Sequence, residues 1–327
     1  MNKIDFVIIW VDGNDPEWRK EYSKYAPNAQ GDKSETRFRD WENLRYWFRG
    51  VEKFAPWVNK VHFVTCGHVP DWLNINAPKL HFVKHSDYIP AKYLPTFNSH
   101  TIELNIHRIE GLSEYFVYFN DDFFLINNIN EDFYFKNGVP CDMAVLNTLT
   151  TSSIAHILLN NNQCINHNFS KNEVIKKSFN KWFCIKYGSF LYRTLALMPW
   201  NAFPGFYDPH LPTAFLKSTF KEVWEKEPEL LNMTCLSRFR ENTNVSQYLM
   251  RYWQLASSRF YPKNICKKAC CYDLGEDRIE DIISSIENQE LNVIVLNDGD
   301  VKDFEYKKNA LITAFERILP EKSSFEK

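Results

Sequence analysis

Tyr115-Phe116-Val117-Tyr118-Phe119-Asn120-Asp121-Asp122 is an apolar run that stops on an amide and two carboxylates. A short, aromatic-rich run closed by turn-forming residues reads as a strand buried on both faces. Such strands belong to parallel sheets covered by helices. Ile4 to Trp10 is a second run of this kind, ended by Asp12-Gly13-Asn14-Asp15-Pro16. Val61–Thr65 and Leu80–Val83 are two more, and Met143–Leu146 is a further candidate.

Helical patterns lie between these runs. Residues 40–54 place Leu44, Trp47, Phe48 and Val51 on one stripe, with Asp40 as the expected N-cap. Residues 99–111 bring Ile102, Ile106 and Ile109 to one side. From about residue 150 to 290 the pattern is mainly helical, over 170–182, 185–198, 213–226, 246–256 and 276–286. Val293–Leu296 is one more buried strand, ending in Asn297-Asp298-Gly299-Asp300, and a helix follows over about 303–319. Alternation of this kind predicts an α/β, Rossmann-like fold with a mostly parallel central sheet and a helical insertion. The expected organisation is a core over 1–150, an insertion over 151–290, and a return strand and helix over 291–327 that complete the core.

Composition narrows the chemistry. The 327 residues carry 39 basic and 41 acidic side chains, a balance that argues against a nucleic-acid partner. Lys263, Lys267 and Lys268 form a short basic run, read as a solvated face or a weak contact with anionic lipid. The aromatic share of 16% is mostly core material, with some rings available as platforms for a sugar or base. Only 10 glycines are present, and neither glycine-rich phosphate motif occurs. Any phosphate must then be met by metal, Arg, Lys or a helix N-terminus. The eight cysteines lack zinc spacing, since Cys266, Cys270 and Cys271 have no second pair. With no signal-peptide pattern and no apolar stretch of about 18 residues, the expectation is a cytoplasmic protein with free thiols.

Ligands of open α/β sheets sit beyond the carboxyl ends of the strands. Asp121 and Asp122 stand there, and two adjacent carboxylates suit an oxygen-seeking cation such as Mg²⁺. They equally suit a strand-terminal turn. Asp12 and Asp15 offer a carboxylate, or hydrogen bonds to a nucleotide, or a plain turn. Arg37 and Arg39 can grip phosphate with both nitrogens, or simply flank a helix start. His210, fixed between Pro209 and Pro212, has the form of a positioned base or of a structural histidine. Arg238 and Arg240 are candidates to neutralise phosphoryl charge. Glu103 and His107 share a helix face without a third ligand and read as structural.

These segments together resemble the Stealth family, which includes bacterial capsular polysaccharide phosphotransferases and the catalytic core of the lysosomal-enzyme N-acetylglucosamine-1-phosphotransferase. Ile4 to Asp15 is similar to its first block. Arg37-Phe38-Arg39-Asp40 through Asn120-Asp121-Asp122-Phe123-Phe124 is similar to the second, including Glu42-Asn43-Leu44-Arg45, Pro70-Asp71-Trp72 and Leu94-Pro95-Thr96-Phe97-Asn98. Pro209-His210-Leu211-Pro212 with Arg238-Phe239-Arg240-Glu241 resembles the third, and Val295-Leu296-Asn297-Asp298 the fourth. The resemblance implies transfer of a hexose 1-phosphate from a UDP-sugar to a glycan hydroxyl, with release of UMP. It makes residues 1–150 a nucleotide-sugar-binding core. Asp121 and Asp122, helped by Asn297, would hold Mg²⁺ or Mn²⁺. His210 would take the acceptor proton, with Asp122 and Arg240 as its catalytic companions. Asp12, Asp15, Arg37 and Asn120 would lie along the donor. The acceptor would be a glycan or a lipid-linked oligosaccharide, with peripheral contact to a capsule-assembly machinery at the membrane. The rival expectations are a metal-dependent glycosyltransferase that releases UDP, and a non-catalytic glycan-binding protein.

Overall fold

A computed structural model describes residues 3–26 and 39–327. Its first strands are β1 (Ile4–Ile9), β2 (Val61–Thr65), β3 (Leu80–Lys84) and β4 (Tyr115–Phe119). Then follow β5 (Phe123–Leu125), β6 (Phe135–Lys136), β7 (Val139–Asp142) and β8 (Thr213–Leu216). The last three are β9 (Tyr261–Pro262), β10 (Ala269–Asp273) and β11 (Val293–Asn297).

The main sheet has the order β3-β2-β1-β4-β8. Its first four strands are mutually parallel and β8 closes the edge antiparallel to β4. The fold is therefore the α/β, mostly parallel arrangement expected. Parallel strands have both faces covered, and β1 shows it: Phe6 and Ile8 belong to one core, Val7 to the other. The helix Leu44–Phe54 and the C-terminal helix Phe304–Ile318 contribute to the first core. Helices from the segment 155–256 fill the second, where Trp182, Phe220, Tyr252 and Trp253 meet the underside of β4 through Phe116 and Tyr118.

Four local expectations change. β11 does not rejoin the main sheet; it pairs with β10 and β5 in a separate three-stranded sheet. Buried Val and Ile identify a strand but carry no record of its partner. Residues 213–216 are extended, and the helix starts only at Lys217. The apolar run 143–146 forms a single bridge, Leu146 to Phe206, and no strand. Asp40 is not the N-cap: Asn43 occupies that position, while Asp40 accepts from the Glu42 backbone N–H at 2.7 Å.

Candidate active site

The turn after β4 is short. Phe123 N–H reaches back to the Asn120 carbonyl at 3.3 Å, and β5 begins at once. The Asp122 carbonyl accepts from Leu296 N–H at 2.9 Å, so the end of β11, with Asn297 next in the chain, lies against this turn. This is how the second sheet, rather than the main one, brings Asn297 to the site. Asn120 is held from below. The Tyr118 hydroxyl lies 2.5 Å from Asn120 Oδ1 and 3.4 Å from Glu103 Oε1, and its one proton serves one of them at a time.

Asp121 still meets solvent, yet protein crowds it on most sides. Desolvation, then the neighbouring Asp122 carboxylate and the field of Asp40, push its pKa up to about 7. Asp40 is itself raised, by desolvation first, with Glu42 and Asp12 adding repulsion. Negative charge from the ends of β1 and β4 thus accumulates at one place, which a cation would relieve.

Asp122 Oδ2 lies 3.6 Å from His210 Nε2. The other ring nitrogen, Nδ1, is 3.3 Å from the Tyr248 hydroxyl, and the Phe123 ring meets the imidazole edge-on at 5.2 Å. His210 has φ 49°, a left-handed backbone that non-glycine residues adopt at a cost. The cost is offset by an anchor directly upstream. Arg251, buried, grips Asp142 with two bonds of 2.8 Å and Asp208 with one of 2.6 Å. It also donates to the Tyr207 carbonyl at 3.0 Å, and the Tyr252 hydroxyl bonds Asp208. Burial raises the Asp208 pKa to about 6 in spite of the Arg251 charge. The segment Tyr207-Asp208-Pro209-His210 is therefore nailed to the helix Tyr248–Ala256 before it enters β8.

Arg240 donates to Ser99 Oγ from Nε at 3.2 Å and from an Nη at 2.6 Å. Its loop is organised by the buried Asn98, whose two amide hydrogens are shared among the Ser237 and Phe239 carbonyls and Asn244 Oδ1. Arg240 is close enough to stabilise the Glu103 carboxylate and to ease ionisation of Tyr118, so its charge bears on the Asn120 end of the site. Glu103 pairs with His100, at 3.5 Å, while His107 packs near the rings of Phe220 and Trp224.

Asp12 and Asp15 are engaged locally. Asp12 accepts from Asn14 N–H at 2.8 Å, and its own N–H donates to His68 Nε2 at 2.9 Å. Asp15 caps the helix Pro16–Tyr25, accepting from Trp18 N–H at 2.6 Å. Arg39 spans Asp298 with bonds of 3.0 and 2.5 Å, and Trp41 donates to the same carboxylate. Arg37 lies outside the described residues. Among the described residues no three His, Cys, Asp or Glu side chains converge on a metal position. Two carboxylates and an amide, all oxygen donors, nonetheless match Mg²⁺, which takes its remaining ligands from water and phosphate.

Sequence reasoning gives no role to Tyr118, Tyr248 or the Asp142–Arg251–Asp208 cluster, and it marks Glu103 only as structural. Asp208 stands beside Pro209 and Tyr118 in the strand before the carboxylates, but nothing local in the sequence pairs them with Arg251 or Glu103, which come from distant helices.

Comparison with known proteins bears directly on this arrangement. A family model described as Stealth protein CR2, conserved region 2, matches residues 37–142, and Stealth protein CR1, conserved region 1, matches 2–29. The capsular polysaccharide phosphotransferase WcwK of Streptococcus pneumoniae is 43% identical over all of this chain and 99% of its own. The chain belongs to the Stealth family. Other Stealth relatives include the exopolysaccharide phosphotransferase cps2G of Lactiplantibacillus plantarum, 39% identical over 99% of this chain and 96% of its own. The receptor polysaccharide phosphotransferase WefC of Streptococcus gordonii is also 39% identical, over 100% of this chain and 99% of its own. The two matched Stealth regions contain Asp12, Asp15, Asn120, Asp121 and Asp122; His210, Arg240 and Asn297 lie outside them, within the span aligned to WcwK. Among solved structures, the WbbM bifunctional glycosyltransferase aligns with a TM-score of 0.40 and 12% identity, over 97% of this chain and 52% of that one.

Proposed function

We propose that this chain is a polysaccharide phosphotransferase that moves a hexose or N-acetylhexosamine 1-phosphate from a UDP-sugar to a glycan hydroxyl and releases UMP. The observation that carries this reading is the Asp122–His210 pair, 3.6 Å apart, beside a second carboxylate at the end of β4. Full-length relatives named as polysaccharide phosphotransferases support the reaction class.

In this reading the acceptor hydroxyl attacks the phosphorus that bears the sugar. The bond from that phosphorus to the bridging oxygen breaks, and UMP leaves with the electron pair. His210 receives the hydroxyl proton, with the Tyr248 hydroxyl at Nδ1 and the Asp122 carboxylate beside Nε2 setting the place of the ring. Asp121, with Asn297, would hold Mg²⁺ or Mn²⁺, which when bound neutralises diphosphate charge. That division leaves Asp122 to the histidine, although a shared ligand role for Asp122 is compatible with its place in the turn. Arg240, and Arg37 from the second matched region, supply fixed positive charge to the phosphoryl oxygens. Asn120 holds the donor by its side-chain amide, and Asp12 and Asp15 shape the loop along it. The acceptor is a glycan, free or carried on a lipid.

Incubation of purified protein with a panel of UDP-sugars, Mn²⁺ and acceptor oligosaccharides tests the reading. UMP and a product heavier by one sugar phosphate are expected. Release of UDP would identify a glycosyltransferase, and the phosphotransferase reading would fall. Glycan synthesis unaffected by Asp122→Ala and His210→Ala would instead point to a binding protein.

A further inference from the structure

The segment between Asp142 and Asp208 contains a single acidic residue, Glu173, against Lys171, Lys176, Lys177, Lys181, Lys186 and Arg193. The chain as a whole has a net charge of −2, so this positive stretch is local. The same stretch holds six of the ten large hydrophobic side chains that stand exposed among the described residues. Ile185 is 87% exposed, Tyr192 75%, Phe179 60%, Trp200 56% and Leu195 53%. Scattered exposed hydrophobics need no explanation, but their concentration in one helical segment does.

The placement is informative. Tyr192 and Leu195 stand three residues apart on the helix Leu191–Leu197, so they share a face. Phe179 stacks on Phe183 at 4.5 Å and presents an aromatic pair at the surface. Lys186 and Arg193 hydrogen-bond to neutral groups, the Tyr261 hydroxyl and Asn147 Oδ1. Exposed Lys176 and Lys177 end the preceding helix, Lys171–Lys177. Aromatic and aliphatic tips interleaved with unneutralised Lys and Arg form a surface suited to the headgroup region of a bilayer, where rings enter and cations meet lipid phosphate. A protein partner of matching shape would not require a stretch so poor in acidic residues.

The patch also borders the candidate active site. The Phe190 ring packs on Tyr207 at 4.9 Å, and Arg193 lies over the same ring at 5.3 Å. Tyr207 is the residue before Asp208, in the anchored segment that carries His210. The segment that carries His210 is thus in contact with this patch through Tyr207.

We propose that the surface of residues 176–200 docks the enzyme on an anionic membrane surface, with Ile185, Tyr192, Leu195 and Trp200 as the inserted groups. The proposal goes beyond the phosphotransfer reading and is tested without turnover.

Purified full chain is sedimented with vesicles of phosphatidylcholine alone, or with a third of the lipid replaced by phosphatidylglycerol. Binding to the anionic vesicles that weakens as salt is raised is expected. The combined variant Lys176→Glu, Lys177→Glu, Lys186→Glu, and separately Ile185→Ser, Leu195→Ser, Trp200→Ser, are expected to weaken it by at least about tenfold. Lys267→Glu with Lys268→Glu, on the other basic run, should leave it intact. Melting curves of the patch variants that overlay the parent exclude misfolding, since all six side chains are exposed. No binding to anionic vesicles, or undiminished binding by both patch variants, would overturn the proposal. So would a dimer that dissociates on the apolar substitutions while vesicles remain unbound. UDP in place of UMP as product would sink the phosphotransfer reading and leave this one standing.

Discussion

Asp122 and His210 approach to 3.6 Å although one ends a parallel strand and the other precedes the antiparallel strand at the same sheet edge. The pairing of β4 with β8 fixes that approach. Replacing His210 by Ala is expected to lower UMP formation by about 10²–10⁴-fold, the usual range for a positioned acid–base group. Asp122→Asn should lower it as well. Because the two act as a unit, the double variant should be little worse than His210→Ala alone, measured as kcat/KM.

Asp121 yields a pH-dependent stability effect. Its folded pKa, about 7, lies above the ordinary aspartate value of 3.8. Its contribution is therefore fully present below pH 4 and is lost as pH rises towards and through 7. Asp121→Asn removes a charge that repels Asp122, so it should raise Tm at pH 8 and leave Tm near pH 4 almost unchanged. Addition of Mn²⁺ at pH 8 should raise Tm of the parent more than of Asp121→Asn. Equal shifts in the two proteins would remove Asp121 from the metal role.

Arg251 makes a stability prediction of larger size. Removing one partner from a buried ion cluster costs about 3–5 kcal/mol, because the remaining charges stay buried and unpaired. Arg251→Met strands both Asp142 and Asp208, and urea unfolding should report a loss of that order. Arg251→Lys should recover only part of it, since an ammonium cannot reproduce the two parallel bonds to Asp142.

Arg240 separates charge from shape. Arg240→Lys keeps a cation near Ser99 and Glu103 and should retain more turnover than Arg240→Gln. The loss in Arg240→Gln is expected mainly in kcat, the signature of an interaction strengthened in the transition state. A change in KM alone would assign Arg240 to donor binding.

How far the sequence revealed this molecule depended on whether a signal was local. The strand at 115–119 and the carboxylates after it were legible, because burial on both faces and a polar stop are written in consecutive residues. Pro209 and Pro212 likewise marked His210, and the structure adds its left-handed backbone. The partner of β11 was not legible: Val293–Leu296 would suit any sheet, and only packing decides that it meets β5. Arg251 carries no local mark, since the acids it binds come from β7 and from the loop before β8. Asp15 reads as a possible ligand or a plain turn, while its side chain caps the helix that starts at Pro16, accepting from Trp18 N–H.

The antiparallel β8 has one more consequence. It registers with β4 residue for residue, Tyr115 against Leu216 through Tyr118 against Thr213, across the whole intervening excursion of the chain. Such distant pairings are slow to form, because the loop entropy is lost before the contact rewards it. The β1–β4 pairing, Ile4 against Tyr115, spans a comparable stretch of chain, so carboxylates and histidine come together only once the whole sheet is assembled. Competence should thus arrive late in refolding, with turnover lagging behind the recovery of secondary structure.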